Sequence, residues 1–102
     1  MSHRDKNSKY SPIVFAELYG WLAYLESLFY NFSYAEEALK KMDGYINNIK
    51  ELNKTSYYQL LAFRYYVYTS ILHDKREYNN ALVTVKKGIE LLQKNDVTDV
   101  FC

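Results

Sequence analysis

The sequence predicts an all-α chain: four long helices, paired into antiparallel hairpins that stack as a short solenoid. Three observations carry that expectation. Helix breakers are scarce, with three glycines and one proline among 102 residues, so long helices run uninterrupted. Four helix-start patterns are legible along the chain. Finally, the small and apolar set Ala38-Leu39, Met42, Tyr45 and Ile46 recurs 43 residues later as Ala81-Leu82, Val85, Gly88 and Ile89, and recurrence at a fixed spacing marks a helical repeat.

Residues 1–10 (MSHRDKNSKY) are polar and aperiodic, which predicts a flexible lead before a helical-repeat domain over 11–102. Ser11-Pro12 opens the first helix, because proline at the first helical position sacrifices no hydrogen bond. Leu18, Leu22, Leu25, Phe29 and Phe32 form its expected buried stripe. Ser33-Tyr34-Ala35-Glu36 has the spacing of a capping box and starts a second helix, whose stripe is Ala35, Ala38, Leu39, Met42, Tyr45, Ile46 and Ile49. The same pattern at Ser56-Tyr57-Tyr58-Gln59 starts a third, with Leu61, Tyr65, Tyr68 and Leu72 inward. Asp74-Lys75-Arg76-Glu77 opens the fourth, with Tyr78, Ala81, Leu82, Val85, Ile89 and Leu92 on one face. Short connections make successive helices antiparallel. The tail from Asp96 to Cys102 reads as the first turn of a further helix.

Composition narrows the function classes. A formal net charge of +1 gives no positive field for a polyanion, so nucleic acid is not an expected partner. The single cysteine, Cys102, forms no internal disulfide, and a reducing, cytoplasmic setting is expected. Between Ile13 and Phe32 the only charges are Glu17 and Glu26. Each would cost about 2.5 to 3.5 kcal/mol at the centre of a bilayer, so a soluble repeat helix is expected there instead of a membrane span. His3 and His73 have no second ligand at metal spacing, and no phosphate loop or nucleophile motif occurs. Neither catalytic residues, nor a cofactor, nor a metal is expected.

The hairpins resemble the tetratricopeptide family. Leu22, Leu25 and Phe29 match its large residues in the first unit; in the second, Tyr65, Tyr68 and Leu72 match the large residues and Thr69 the small one midway. Glu26 replaces a usual small residue, the closing proline is absent, and the spacing exceeds the usual 34 residues. A second likeness runs from Trp21 to Val67. Trp21, Tyr34-Ala35-Glu36-Glu37-Ala38 and Tyr57-Tyr58-Gln59-Leu60-Leu61-Ala62-Phe63-Arg64 are similar to the N-terminal helical region of Rap-type quorum-sensing regulators of Gram-positive bacteria. In the phosphatases of that group, an amide side chain from an acidic loop enters the partner's active site. The matching stretch, Ile49 to Lys54, offers only Asn53 and no acidic cluster, so the resemblance implies binding and not catalysis.

In tetratricopeptide stacks the first helix of each hairpin lines a concave groove. The resemblance places Gly20, Ala23, Ser27 and Tyr30 there from the first unit, and Phe63, Tyr66, Ser70 and His73 from the second. The expected binding residues are Tyr30, Phe63, Arg64, Tyr66, Ser70 and His73. Arg64 has two readings: a structural one, stacked on a tyrosine or paired with Glu26 or Glu36, and a functional one, anchoring a partner's carboxylate. The expected partner is a protein or peptide, taken up by rings with polar tips. Two repeats are few for a solenoid, so self-association or another protein is expected to cover the open faces. The alternative is a compact four-helix inhibitor or immunity-type protein, closed into a bundle.

Overall fold

The computed structural model describes residues 11–95; the expectations for residues 1–10 and 96–102 lie outside them. Four α-helices make up the described chain, in the order α1 (Ser11–Leu28), α2 (Phe32–Ile49), α3 (Lys54–Asp74) and α4 (Tyr78–Lys94), with no strand among the described residues. Helix α1 packs along α2, and α3 along α4. Helix α3 also packs against both α1 and α2, whereas α1 and α4 share no seam.

Both hairpins turn by the same device. Tyr30 (φ 62°) and Arg76 (φ 66°) are left-handed. After α1, the amide of Asn31 donates to the carbonyl of Glu26 and that of Tyr30 to Ser27; after α3, Glu77 donates to Leu72 and Arg76 to His73. These are paired Schellman closures, which satisfy the last carbonyls of each helix. Tyr30 and Arg76 lie 46 residues apart, so the hairpins correspond at that spacing and not at 43. The 46-residue register aligns buried Ala35, Ala38 and Met42 with buried Ala81, Thr84 and Gly88. A three-residue slip is nearly one helical turn, which is why the apolar pattern also repeats at 43.

The core forms where α1, α2 and α3 meet, around Met42, Ile46, Ile49, Val67 and Ile71, each at most 1% exposed. Burying such a side chain contributes about 1.5 to 3 kcal/mol. The predicted stripe of α2 is buried as expected except at Tyr45, which is partly buried and stacks on Phe15 and Tyr19, with ring centroids 5.2 and 5.8 Å away. In α3, Leu72 is buried while Leu61, Tyr65 and Tyr68 are only partly so; Leu60, Ala62, Val67 and Ile71 carry the rest.

Helices α1 and α4 turn the opposite way from the expectation. Leu18, Leu22, Leu25 and Phe29 are exposed, and the buried line of α1 is instead Ala16, Gly20, Ala23 and Ser27. Phe32 belongs to α2. In α4, Ala81, Thr84 and Gly88 face inward, whereas Tyr78, Leu82, Val85 and Ile89 are exposed and Leu92 is half-buried. The cause is close approach: a Cβ at Gly20 would lie 2.5 Å from Phe63 Cε2, and one at Gly88 would lie 3.1 Å from Tyr65 Cβ. Larger residues in these lines would force the helices apart.

The expected capping boxes do not form. Helix α2 starts at Phe32 with Asn31 as N-cap, Ser33 lies inside the helix, and Glu36 reaches Lys75 of the α3–α4 turn at 3.1 Å. Helix α3 starts at Lys54 with Asn53 as N-cap, three residues before the expected cap Ser56, because the Asn53 side-chain oxygen accepts from the Ser56 amide at 3.0 Å. Asp74 closes α3, and Glu77 is the N-cap of α4.

Candidate functional site

A groove of about 570 Å³ opens between α1 and α3. Helix α1 contributes Ile13, Glu17 and Trp21; α3 contributes Ser56, Gln59, Leu60, Phe63 and Tyr66. The residues from α1 recur every four positions, so they line a single flank of that helix. That flank sits beside the buried small-residue line, which brings α1 close enough to α3 for the two helices to share a trough.

One end of the groove is aromatic. The Trp21 ring lies 5.3 Å from Phe63 and 5.9 Å, edge-on, from Tyr24. Tyr66 stacks against Tyr24 at 6.1 Å and Phe63 at 6.5 Å. These separations fall in or near the favourable range for aromatic pairs, about 4.5 to 7 Å, so the rings brace one another and hold a fixed apolar surface. Glu17 is the one charged group in the lining, and the Ser56 hydroxyl and Gln59 amide supply neutral polar atoms. No described residue pairs with the Glu17 carboxylate.

Of the six residues expected to bind, the groove gathers Phe63 and Tyr66. Gly20, Ala23 and Ser27, assigned to the groove by the tetratricopeptide likeness, are buried; the Ser27 hydroxyl donates to Asp74 Oδ2 at 2.9 Å, tying the end of α1 to the end of α3. Tyr30 is exposed in the first hairpin turn, its ring 5.8 Å from that of Phe32. Ser70 and His73 lie farther along α3 and do not line the groove. His73 is exposed, 3.4 Å from Asp74 Oδ1 and edge-on to Tyr78 at 5.6 Å.

Arg64 points the other way, onto α2. Its Nε donates to Asp43 Oδ1 at 2.8 Å and one terminal nitrogen to Oδ2 at 3.1 Å, while its guanidinium covers the Tyr68 ring at 5.3 Å. The stacking follows the structural reading; the acid is Asp43, and neither Glu26 nor Glu36. Ile13, Glu17, Trp21, Ser56, Gln59 and Leu60 went unassigned in the sequence. The four-residue spacing of the first three is the signal that could have found them.

A second polar cluster joins the hairpins at their turns. Lys75 Nζ donates to Glu36 Oε2 at 3.1 Å and lies 3.5 Å from Glu77 Oε2. The hydrogen bond to Glu36 raises the Lys75 pKa against the opposing effect of burial. Glu77 is held below its ordinary value chiefly by the Asn80 amide, which donates to it at 3.0 Å, and further by Lys75.

Among the described residues, no cluster of three or more His, Cys, Asp or Glu could hold a metal ion, and no helix is long and apolar enough to cross a membrane. Comparison with family models, curated proteins and solved structures returns no match to the chain.

Proposed function

We propose that this chain is a regulatory helical-repeat module that binds a protein or peptide segment in the α1–α3 groove and acts by binding, without turnover. The observation that carries the reading is the groove itself, braced aromatic rings at one end and a single carboxylate among apolar side chains. Such a lining suits a segment with an apolar side chain near a lysine or arginine, because the rings bury apolar area while Glu17 offers a charge-assisted hydrogen bond.

The packing order supports an open stack in the manner of tetratricopeptide repeats and of Rap-type sensors. In such a stack the first helices of successive hairpins lie side by side, as α1 and α3 do here. A closed four-helix inhibitor would need α4 seated along α1, and these helices share no seam. Binding is favoured over a phosphatase role because the oxygen of Asn53, the only amide in the relevant stretch, is engaged as the cap of α3.

Trp21, the single tryptophan of the chain, makes the reading testable. Random peptides displayed on phage are selected on the immobilised protein, and the enriched sequences are synthesised and titrated while Trp21 emission is followed. Enriched peptides should carry a basic residue beside an apolar one, shift the emission, and bind at least tenfold more weakly to Phe63→Ala and Glu17→Gln. Failure to enrich any peptide, or equal binding by both variants, would overturn the proposal.

A further inference from the structure

The outward face of α1 carries an exposed apolar line that meets the groove only at Trp21. Val14, Leu18, Trp21, Leu25 and Leu28 follow one another at intervals of four, three, four and three residues and are all exposed, Leu18 at 57%. Leu22 and Phe29 widen the line, and the only charges on α1, Glu17 and Glu26, stand on either side of it. Helix α4 presents a narrower line with the same intervals, Tyr78, Leu82, Val85 and Ile89, likewise exposed. Alternating steps of three and four residues are the spacing with which one helix seats its side chains between those of another.

Charge selects how these lines pair. Helix α1 carries two glutamates and no basic residue, while α4 carries Lys86, Lys87 and Lys94 against Glu90. Lys86 follows Val85 directly and borders the exposed line. Pairing α1 with α1 brings two negative helices together, and pairing α4 with α4 brings together two helices of net positive charge. Only α1 against α4 is complementary. Within one chain these helices share no seam, so such a pairing requires a second molecule.

We propose that the outward face of α1 in one copy docks on the outward face of α4 in another, making a head-to-tail contact between identical chains. The α1 line is about half exposed at every position, while a standard interface takes roughly 800 Å² per partner. The narrower α4 line limits the contact, so association is weak, in the micromolar range. A contact joining two different faces leaves one of each free at the ends, so the assembly grows with concentration unless the geometry closes a ring. Trp21 and Glu17 border both surfaces, whereas Leu18 and Leu25 do not line the peptide groove, so substitutions at those two leucines test this contact apart from peptide binding.

The test is sedimentation velocity over a concentration series, with helicity checked by circular dichroism. The wild-type chain should grow beyond a dimer as concentration rises. A Leu18→Glu/Leu25→Glu variant, which keeps only a sound α4 face, and a Leu82→Glu/Ile89→Glu variant, which keeps only a sound α1 face, should each be monomeric alone. Mixed in equal amounts, they should form a heterodimer and nothing larger. A wild-type chain monomeric at every concentration would overturn the proposal. So would continued self-association of either folded variant, since that would mean pairing of like faces, or a mixture of folded variants that stays monomeric.

Discussion

Gly20 and Phe63 meet where α1 crosses α3: a β-carbon at position 20 would come within 2.5 Å of the Phe63 ring and 3.0 Å of Met42 Cε. The absence of a side chain on α1 therefore sets both the helix separation and the position of a ring that lines the groove. Gly20→Ala gains about 1 kcal/mol of helix propensity but overpacks a filled site, at a cost of about 1 to 3 kcal/mol. The expected net result is a loss of about 1 kcal/mol with Phe63 pushed into the groove, read as a lower urea midpoint and altered Trp21 emission. Gly44 is the control, since nothing lies within 4 Å of its β-position. Gly44→Ala should stabilise the chain by about 1 kcal/mol.

Arg64 and Asp43 should contribute to stability and not to groove binding. Their bidentate pair is partly open to solvent, with side chains 25% and 42% exposed, so screening limits it to about 1 kcal/mol. Arg64→Lys keeps the charge but loses the fork and the stacking on Tyr68; it should cost nearly as much as Arg64→Ala. A double-mutant cycle with Asp43→Asn measures the coupling, and peptide affinity per folded molecule should stay unchanged.

The Lys75 cluster predicts how stability varies with pH. The folded-state pKa of Lys75 is raised, chiefly by its hydrogen bond to Glu36. Its contribution is therefore complete below the unfolded value, roughly pH 10.4, and is lost as the pH climbs through the folded value. Glu77 is lowered, chiefly by Asn80, so its contribution is present above roughly pH 4.3 and is lost on acidification. Denaturation midpoints across the pH range should show a central plateau. Lys75→Met should flatten the alkaline decline relative to wild type, and Glu77→Gln the acidic one.

Thr69 buries its hydroxyl with no hydrogen-bond partner among the described residues. An unsatisfied buried polar group costs about 1 to 3 kcal/mol, and valine has nearly the same shape. Thr69→Val should raise the melting temperature, with a gain of about 1 kcal/mol. Thr69→Ser, which keeps the hydroxyl and gives up a methyl, should lower it. The opposite order in thermal denaturation would show that the hydroxyl has a partner.

The four helices and the buried stripe of α2 were readable because α2 is amphipathic: Ala35, Ala38, Leu39, Met42, Ile46 and Ile49 stand on one face and charged residues on the other. Six of the eight groove residues were not readable. Phe63 and Tyr66 followed from the repeat likeness, but Glu17, Trp21 and Gln59 enter only because α1 lies beside α3 at a particular rotation. Gln59 and Ser56 also fit a capping box, a local explanation that tertiary packing displaced when Asn53 capped α3 instead.

From local physics alone, the chain determined that it folds as four helices with no strand among the described residues. Propensity, breakers and turn chemistry act within a few residues and leave their marks in order along the sequence. The rotation of α1 and α4 was decided only in the tertiary structure. Hydropathy marks where large apolar residues lie, and on these helices that is the outward face. The inward face is chosen by how closely helices can approach, through Ala16, Gly20, Ala23 and Ser27 on α1 and Ala81, Thr84 and Gly88 on α4. Small residues carry little hydropathy signal of their own, and their effect exists only once a neighbouring helix is pressed against them.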